Sequence, residues 1–120
     1  MKNNLRVNIN DVGGEIAKED ERYIVKDNTR LKDVVLSSTR LNPNCATNGH
    51  KHEGQEEVYI FQSGSGIMEL DGVEHTFADG DIFLIEDNVF HKVTAGPDGA
   101  YFICVFNGAR YDHVAVLGYN

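Results

Sequence analysis

From residue 33 to residue 107 the sequence is cut at short intervals by turn signals, and the runs between them are rich in β-branched and aromatic residues. The breaks are Asn42-Pro43-Asn44, Gly64-Ser65-Gly66, Asp71-Gly72, Ala78-Asp79-Gly80-Asp81, Glu86-Asp87-Asn88 and Gly96-Pro97-Asp98-Gly99. Asp-Gly between alternating runs is a two-residue hairpin signal, and Asn44 suits left-handed backbone. Strands are therefore expected over 33–41, 58–61, 67–70, 73–77, 82–85, 89–94 and 100–106. Almost no helical periodicity accompanies them. Short strands joined by tight turns predict an all-β, antiparallel sandwich or barrel. Residues 100–106 are apolar on both faces, which predicts a central strand.

The flanks are less informative. Val7 and Ile9 alternate with polar residues as a short strand would, and Gly13-Gly14 ends that pattern. The charged stretch 15–22 reads as a loop or one helical turn, and 22–26 as a strand with Tyr23 and Val25 on one face. Residues 111–117 alternate again. No repeat or linker divides the 120 residues, so the expectation is one domain over 1–120, with extension strands in 1–30 and a barrel core over 33–107.

Composition excludes some functions. A net charge of −8, with Lys and Arg scattered, argues against a nucleic-acid backbone as partner. No apolar run approaches the length of a membrane span. The polar start MKNNLRVNIND lacks the apolar centre of a secretory signal, and cytoplasmic location is the expectation. Cys45 and Cys104 form no C-x-x-C motif and are read as reduced thiols, Cys45 filling a loop and Cys104 in the core.

The chemistry concentrates in residues 49–66, GHKHEGQEEVYIFQSGSG. His50, His52 and Glu57 are potential metal ligands within eight positions. In extended chain every second side chain shares a face, so His50 and His52 can point into one interior, as can Glu57, Tyr59 and Phe61 on the next strand. Glu56 then points outward. Among the other histidines His91 has the best context, in a strand beyond a corner, beside Phe90 and Val93. His75 reads as a hairpin surface position.

The order of these parts is similar to that of a small single-domain cupin. The first block is Gly49-His50-Lys51-His52 through Glu57 to Gly64; the second is Gly80-Asp81, the strand 82–85, the corner Glu86-Asp87-Asn88 and His91. The resemblance covers about residues 33–107 and implies a double-stranded β-helix, a jelly-roll-like antiparallel barrel. It places His50, His52, Glu57 and His91 as ligands of one divalent metal ion, with manganese, iron, nickel, copper and zinc all compatible. Two departures matter. The second block has Glu86-Asp87-Asn88 where the family carries Pro-x-Gly, a turn that Asn can preserve through left-handed backbone. Ala95 stands where the family often has Asn.

The resemblance further implies a small-molecule substrate and a homodimer. It favours a metal-dependent isomerase of a sugar or sugar phosphate, with Tyr59 as candidate proton shuttle. Tyr59 reads equally well as an aromatic lining the barrel. An iron- or manganese-dependent dioxygenase, decarboxylase or lyase is the first alternative, and a non-enzymatic ligand-binding module the second. Arg40 shares a strand face with Ser38, opposite Thr39; it reads as a solvated edge residue, or as an anion partner if it faces inward. Tyr111 and His113 read as packing or dimer contacts, or as a cover over the barrel mouth.

Overall fold

The structure is a computed structural model in which residues 6–108 are described. Among these residues it is all β. The strands are β1 (Glu15–Glu19), β2 (Tyr23–Asn28), β3 (Val34–Leu41), β4 (Glu57–Leu70), β5 (Val73–Phe77), β6 (Ile82–Ile85) and β7 (His91–Asn107). All pairings are antiparallel, in the order β1-β2-β3-β7-β4-β5, with β6 on the free side of the first part of β4.

Two long strands close the barrel. β4 and β7 pair from Glu57↔Phe106 to Leu70↔His91. The first part of β4 borders β6 through Glu57↔Ile85 to Ile60↔Ile82, and its last part borders β5. The glycine clusters at 64–66 and 96–99 were expected to end strands, but both chains run through them. The extra residues are taken up as register shifts at Phe61/Ser63 and Gly64/Gly66, which bend the ladder without ending it. Gly64 is required there: at φ 100° a Cβ would stand 2.2 Å from the carbonyl oxygen of Gly99.

Other expectations are also corrected. Residues 15–19 form strand β1, not a loop or helical turn, because β2 offers an open edge for Glu15↔Asp27 to Glu19↔Ile24. Val7 to Ile9 forms no strand, only an isolated Asn8↔Asp11 bridge. The strand expected from 89 begins at His91. The alternating stretch 111–117, with Tyr111 and His113, lies outside the described residues.

The turn chemistry holds. Asp71 and Gly72 both take positive φ (47° and 84°), the left-handed pair of a tight hairpin. Asn44 and Asn88 sit at φ 62° and 63°.

Alternation sorts the side chains into two layers. Inward lie Tyr23, Val25, Leu41, Tyr59, Phe61, Phe102 and Phe106, the main core. Outward, Tyr101 and Ile103 pack with Val12 of the N-terminal segment in a smaller cluster flanked by Leu36 and Ile60. Burying aromatic side chains of this size supplies roughly 1.5–3 kcal/mol each before entropic costs. The inner layer is what positions the site.

Candidate metal centre

Glu57 opens β4 between β6 and β7, and the alternation that turns Val58 outward turns Glu57 inward, where it is buried. Glu56 is exposed, as its neighbour's orientation requires. His91 opens β7. Across from it, His50 forms an isolated bridge, with His50 N–H donating to His91 O at 3.0 Å and His91 N–H to His50 O at 2.9 Å. The H-x-H segment is thus not a regular strand; a single bridge aligns it. Gly49 permits the approach, since at φ 84° a Cβ would meet the Phe90 ring at 2.5 Å.

The corner at 86–88 locks the other half. Asn88 N–H donates to the carbonyl of His52 at 2.7 Å, and Phe90 N–H to Asp71 Oδ1 at 2.9 Å. Gln55 ties the intervening loop to the end of β7 through Nε2 donating to Asn107 O at 3.0 Å. Thr47 supplies a further tie, its Oγ1 accepting from Val93 N–H at 3.0 Å.

All four expected ligands converge. The Nε2 atoms of His91, His50 and His52 lie 2.9, 3.5 and 3.8 Å from one oxygen, Oε1 of Glu57. The ring centroids of His50 stand 4.4 Å from His52 and 4.2 Å from His91. Each of the four residues is at most 6% exposed. Donors bound at about 2.1 Å around one tetrahedral or octahedral ion are themselves separated by roughly 3.0–3.4 Å. The observed separations are close to that spacing. His50, Glu57 and His91 in particular could hold a metal ion, with their donor atoms all within 4.8 Å of one another.

Hydrogen bonding gives an independent test. Nδ1 of His91 lies 2.9 Å from the carbonyl oxygen of Val89, which can only accept, so that nitrogen carries the proton. In a neutral imidazole Nε2 is then a lone pair, yet it faces a carboxylate oxygen at 2.9 Å. Two acceptors this close need a cation between them, a proton or a metal ion. His50 adds two buried nitrogens, Nδ1 and Nε2, with no hydrogen-bond partner. An orphaned imidazole costs about 1–3 kcal/mol of desolvation per unmade bond. A cation shared by these groups separates the two acceptors at His91 and partners Nε2 of His50.

The electrostatics agree. Burial pushes the His50 pKa down to about 4, partly opposed by the Glu57 carboxylate, so the ring is neutral and ready as a ligand near neutral pH. Burial acts to raise the Glu57 pKa, but the polar contact of the His50 and His91 rings outweighs it and holds the carboxyl below its ordinary range. Glu57 is a carboxylate, not a carboxylic acid.

Tyr59 lies next along the inner face. It is 1% exposed, stacks on Phe102 at 5.3 Å and meets the His91 ring edge-on at 5.5 Å. Arg40 is not in the site: it is exposed on the outer face, with its guanidinium carbon 4.2 Å from the Tyr101 ring centroid. His75 is exposed on β5, Cys104 is buried, and Cys45 is half-buried against the core, as their sequence contexts indicated. Sequence reading missed Gln55 and Thr47. Gln55 shares the alternation of Glu57 and could have been found by it; Thr47 carries no such signal.

Comparison with known proteins places this geometry. The cupin domain family profile matches residues 38–106. Dimethylsulfoniopropionate lyase DddW of Ruegeria pomeroyi is 31% identical over 83 residues, spanning 69% of this chain and 54% of that protein. This chain therefore covers about half the length of that lyase. The oxalate-binding protein of Thermotoga maritima is 25% identical over 81 residues, 68% of this chain and 67% of that one. A Klebsiella pneumoniae protein with a double-stranded β-helix domain superposes with a TM-score of 0.78 over 97% of this chain and 98% of its own, at 15% identity. With its profile match spanning both histidine-bearing blocks, this chain belongs to the cupin family.

Proposed function

We propose that the chain is a metal-dependent cupin enzyme that removes a proton beside a carboxylate or carbonyl of a small polar metabolite. The observation that carries this is the convergence of three imidazole Nε2 atoms on one buried carboxylate oxygen, with His91 held in the tautomer a metal ligand needs. His50, His52, Glu57 and His91 would hold one divalent ion; manganese, iron, nickel and zinc all suit three imidazoles and a carboxylate. A bound ion would supply a Lewis acid for substrate oxygens, which lowers the pKa of the neighbouring C–H.

The chain's own residues do the rest. Glu57, as a carboxylate, would neutralise one charge of a bound ion and leave it electrophilic. The Val89 carbonyl orients His91 and keeps its proton away from the substrate side. Tyr59, against the His91 ring, is the candidate to take or return the substrate proton at its phenol oxygen. Expelling a β-leaving group after proton removal makes the enzyme a lyase, which the relation to DddW supports. Returning the proton to the neighbouring carbon makes it an isomerase, the outcome the sequence resemblance favours by itself. A second reading, a module that holds a small dicarboxylate without turnover, is supported by the relation to an oxalate-binding protein and by the closed aromatic packing of Tyr59.

One experiment separates these. Untagged protein with its native metal is incubated in D₂O with a panel of β-substituted carboxylates and of aldose or ketose sugars, followed by NMR. Alkene products support the lyase; deuterium incorporated into recovered sugar supports the isomerase. Saturable binding of a dicarboxylate with neither product leaves the binding module. Turnover that survives intact in Glu57→Gln with no metal bound would sink the metal-dependent reading. Tyr59→Phe tests the shuttle, with kcat expected to fall about 10²-fold or more while the metal content holds.

A further inference from the structure

The outer face of β2, β3 and β7 holds a cavity that the metal centre does not use. The N-terminal segment crosses this face and is tied to it by three contacts. Tyr101 hydroxyl donates to Ile9 O at 2.8 Å, Asn28 Nδ2 donates to Val12 O at 2.6 Å, and Lys26 Nζ donates to Asp11 Oδ1 at 2.9 Å. Between segment and sheet remains a space of about 280 Å³. Register explains its floor, since Lys26 pairs with Ser38 and Arg40 with Tyr101, all on the outward side. Asn10 and Asp11 form the wall.

The groups facing this space are donors in excess. Two cations, Lys26 and Arg40, stand against one carboxylate, Asp11, in a chain whose net charge is −8. Asp11 is already engaged: it accepts from Lys26 and, at 3.0 Å, from the Gly13 N–H, and the Lys26 contact is the main reason its pKa lies below the ordinary value. Arg40 forms no ion pair among the described residues. Its contact is with the face of the Tyr101 ring, and a guanidinium stacked by its face keeps the N–H groups of its edge available. Ser38 is only 5% exposed, lines the same space, and its hydroxyl makes no hydrogen bond among the described residues. Among the described residues the Ser38 hydroxyl is thus a donor without a protein partner, open to the cavity beside a guanidinium that forms no ion pair.

We propose that this cavity is a binding site for a small oxyanion, a carboxylate or phosphate group, seated on the edge of Arg40 with the Ser38 hydroxyl as second donor. The planar fork of Arg fits either group through two parallel N–H···O bonds. Asn10 and Lys26 bound the site, and Asp11 sets its limit by disfavouring polyanions. Binding here lies on the face opposite the inward-pointing Glu57, so it is independent of the metal reading.

The test is an NMR titration of the full chain with inorganic phosphate and, separately, with acetate, at constant ionic strength. Saturable shifts of the Tyr101 ring and Arg40 Nε–H resonances are expected, and which anion saturates identifies the group. Arg40→Gln should weaken binding about tenfold or more, and Ser38→Ala about threefold. Both variants alter side chains outside the main core, and unchanged melting temperatures check that they fold. Linear, unsaturable shifts, or equal affinity in Arg40→Gln, overturn the proposal. Repeating the titration after chelator treatment should leave it unchanged; loss of the shifts would place the anion at the metal centre instead and equally overturn it.

Discussion

The barrel interior has an aromatic end and a polar end, and one face of one strand leads from each to the other. Along the inner face of β4 the sequence runs Glu57, Tyr59, Phe61. Around Phe61 the partners are all apolar: Phe77 stacked at 3.9 Å, Phe102 at 5.1 Å and Phe83 edge-on at 5.8 Å. Around Glu57 they are His50, His52 and His91. The aromatic end satisfies itself, because dispersion and water exclusion need no further partner. The polar end does not, because three rings and a carboxylate packed together leave lone pairs facing one another. One end supplies stability, and the other requires a cation. Tyr59 bridges them, stacked on Phe102 and edge-on to His91.

Phe61→Ala breaks the comparison at its stable end and carries the largest effect. Phe61 is fully buried, and its loss opens a cavity between stacked rings. A destabilisation of about 3–5 kcal/mol is expected in urea unfolding. Four residues of extended strand, roughly 13 Å, separate it from Glu57, so metal content should remain that of the parent and the two effects should add. If Phe61→Ala loses its metal while still folded, the ends are not separable.

Of the two ends of the barrel interior, acid acts on the polar one. In metal-free protein His50 has a pKa of about 4, against 6.5 for the ordinary side chain. Between those values the unfolded chain binds more protons than the folded one, so stability is full above pH 6.5 and falls as pH drops toward 4. The depressed carboxyl of Glu57 contributes stability above its ordinary value of 4.5 and loses it as pH falls further. At 1.36 kcal/mol per unit, His50 by itself accounts for up to about 3 kcal/mol. Urea unfolding of metal-free protein at pH 7, 6, 5 and 4 measures this. A flat profile would mean that His50 is hydrated or already paired, and the orphaned-imidazole argument would go with it.

Metal removal should cost slightly less. At a metal concentration a hundredfold above Kd, binding adds about 2.7 kcal/mol to the folded state. Chelation should therefore lower the melting temperature by on the order of 10 °C. The same treatment should shift Glu57→Gln hardly at all, since a neutral amide does not balance the charge of the ion and is a much weaker ligand than a carboxylate. An equal shift in both proteins would point to a metal bound elsewhere.

How much of this was legible in the sequence depends on which interactions are local. Alternation with Tyr59 and the spacing to Gly64 together select Glu57 over Glu56, and turn chemistry places Asp71-Gly72, Asn44 and Asn88 at positive φ. Those signals live within a few residues. The continuity of β4 and β7 does not, because Gly64 and Gly66 break a strand in isolation and only a long antiparallel partner converts the break into bulges. Strand β1 is likewise invisible locally, since its charged sequence becomes a strand only beside the edge of β2. The site's candidate ligands were legible as types and spacings. Their supports, Gln55 and Thr47, bind β7 across 52 and 46 positions of chain, a distance at which no pattern speaks.

The smallest effect expected is at the corner that holds the polar end in place. Asn88 occupies φ 63°, a conformation open to Asn at modest cost and to Gly at none. Its backbone N–H, not its side chain, makes the 2.7 Å bond to His52 O. Asn88→Gly keeps that bond and relieves the strain, while loosening the unfolded chain, and the two effects nearly cancel. A change within about 0.5 kcal/mol is expected, whereas Asn88→Ala, which adds a Cβ penalty in left-handed backbone, should cost about 1 kcal/mol. Both variants should retain parental metal content. Because the candidate ligand His52 hangs on a main-chain bond, the side chain at 88 is free to vary so long as the turn keeps its hand. Loss of metal in Asn88→Gly would show that the Asn side chain itself, and not the backbone sign, positions His52.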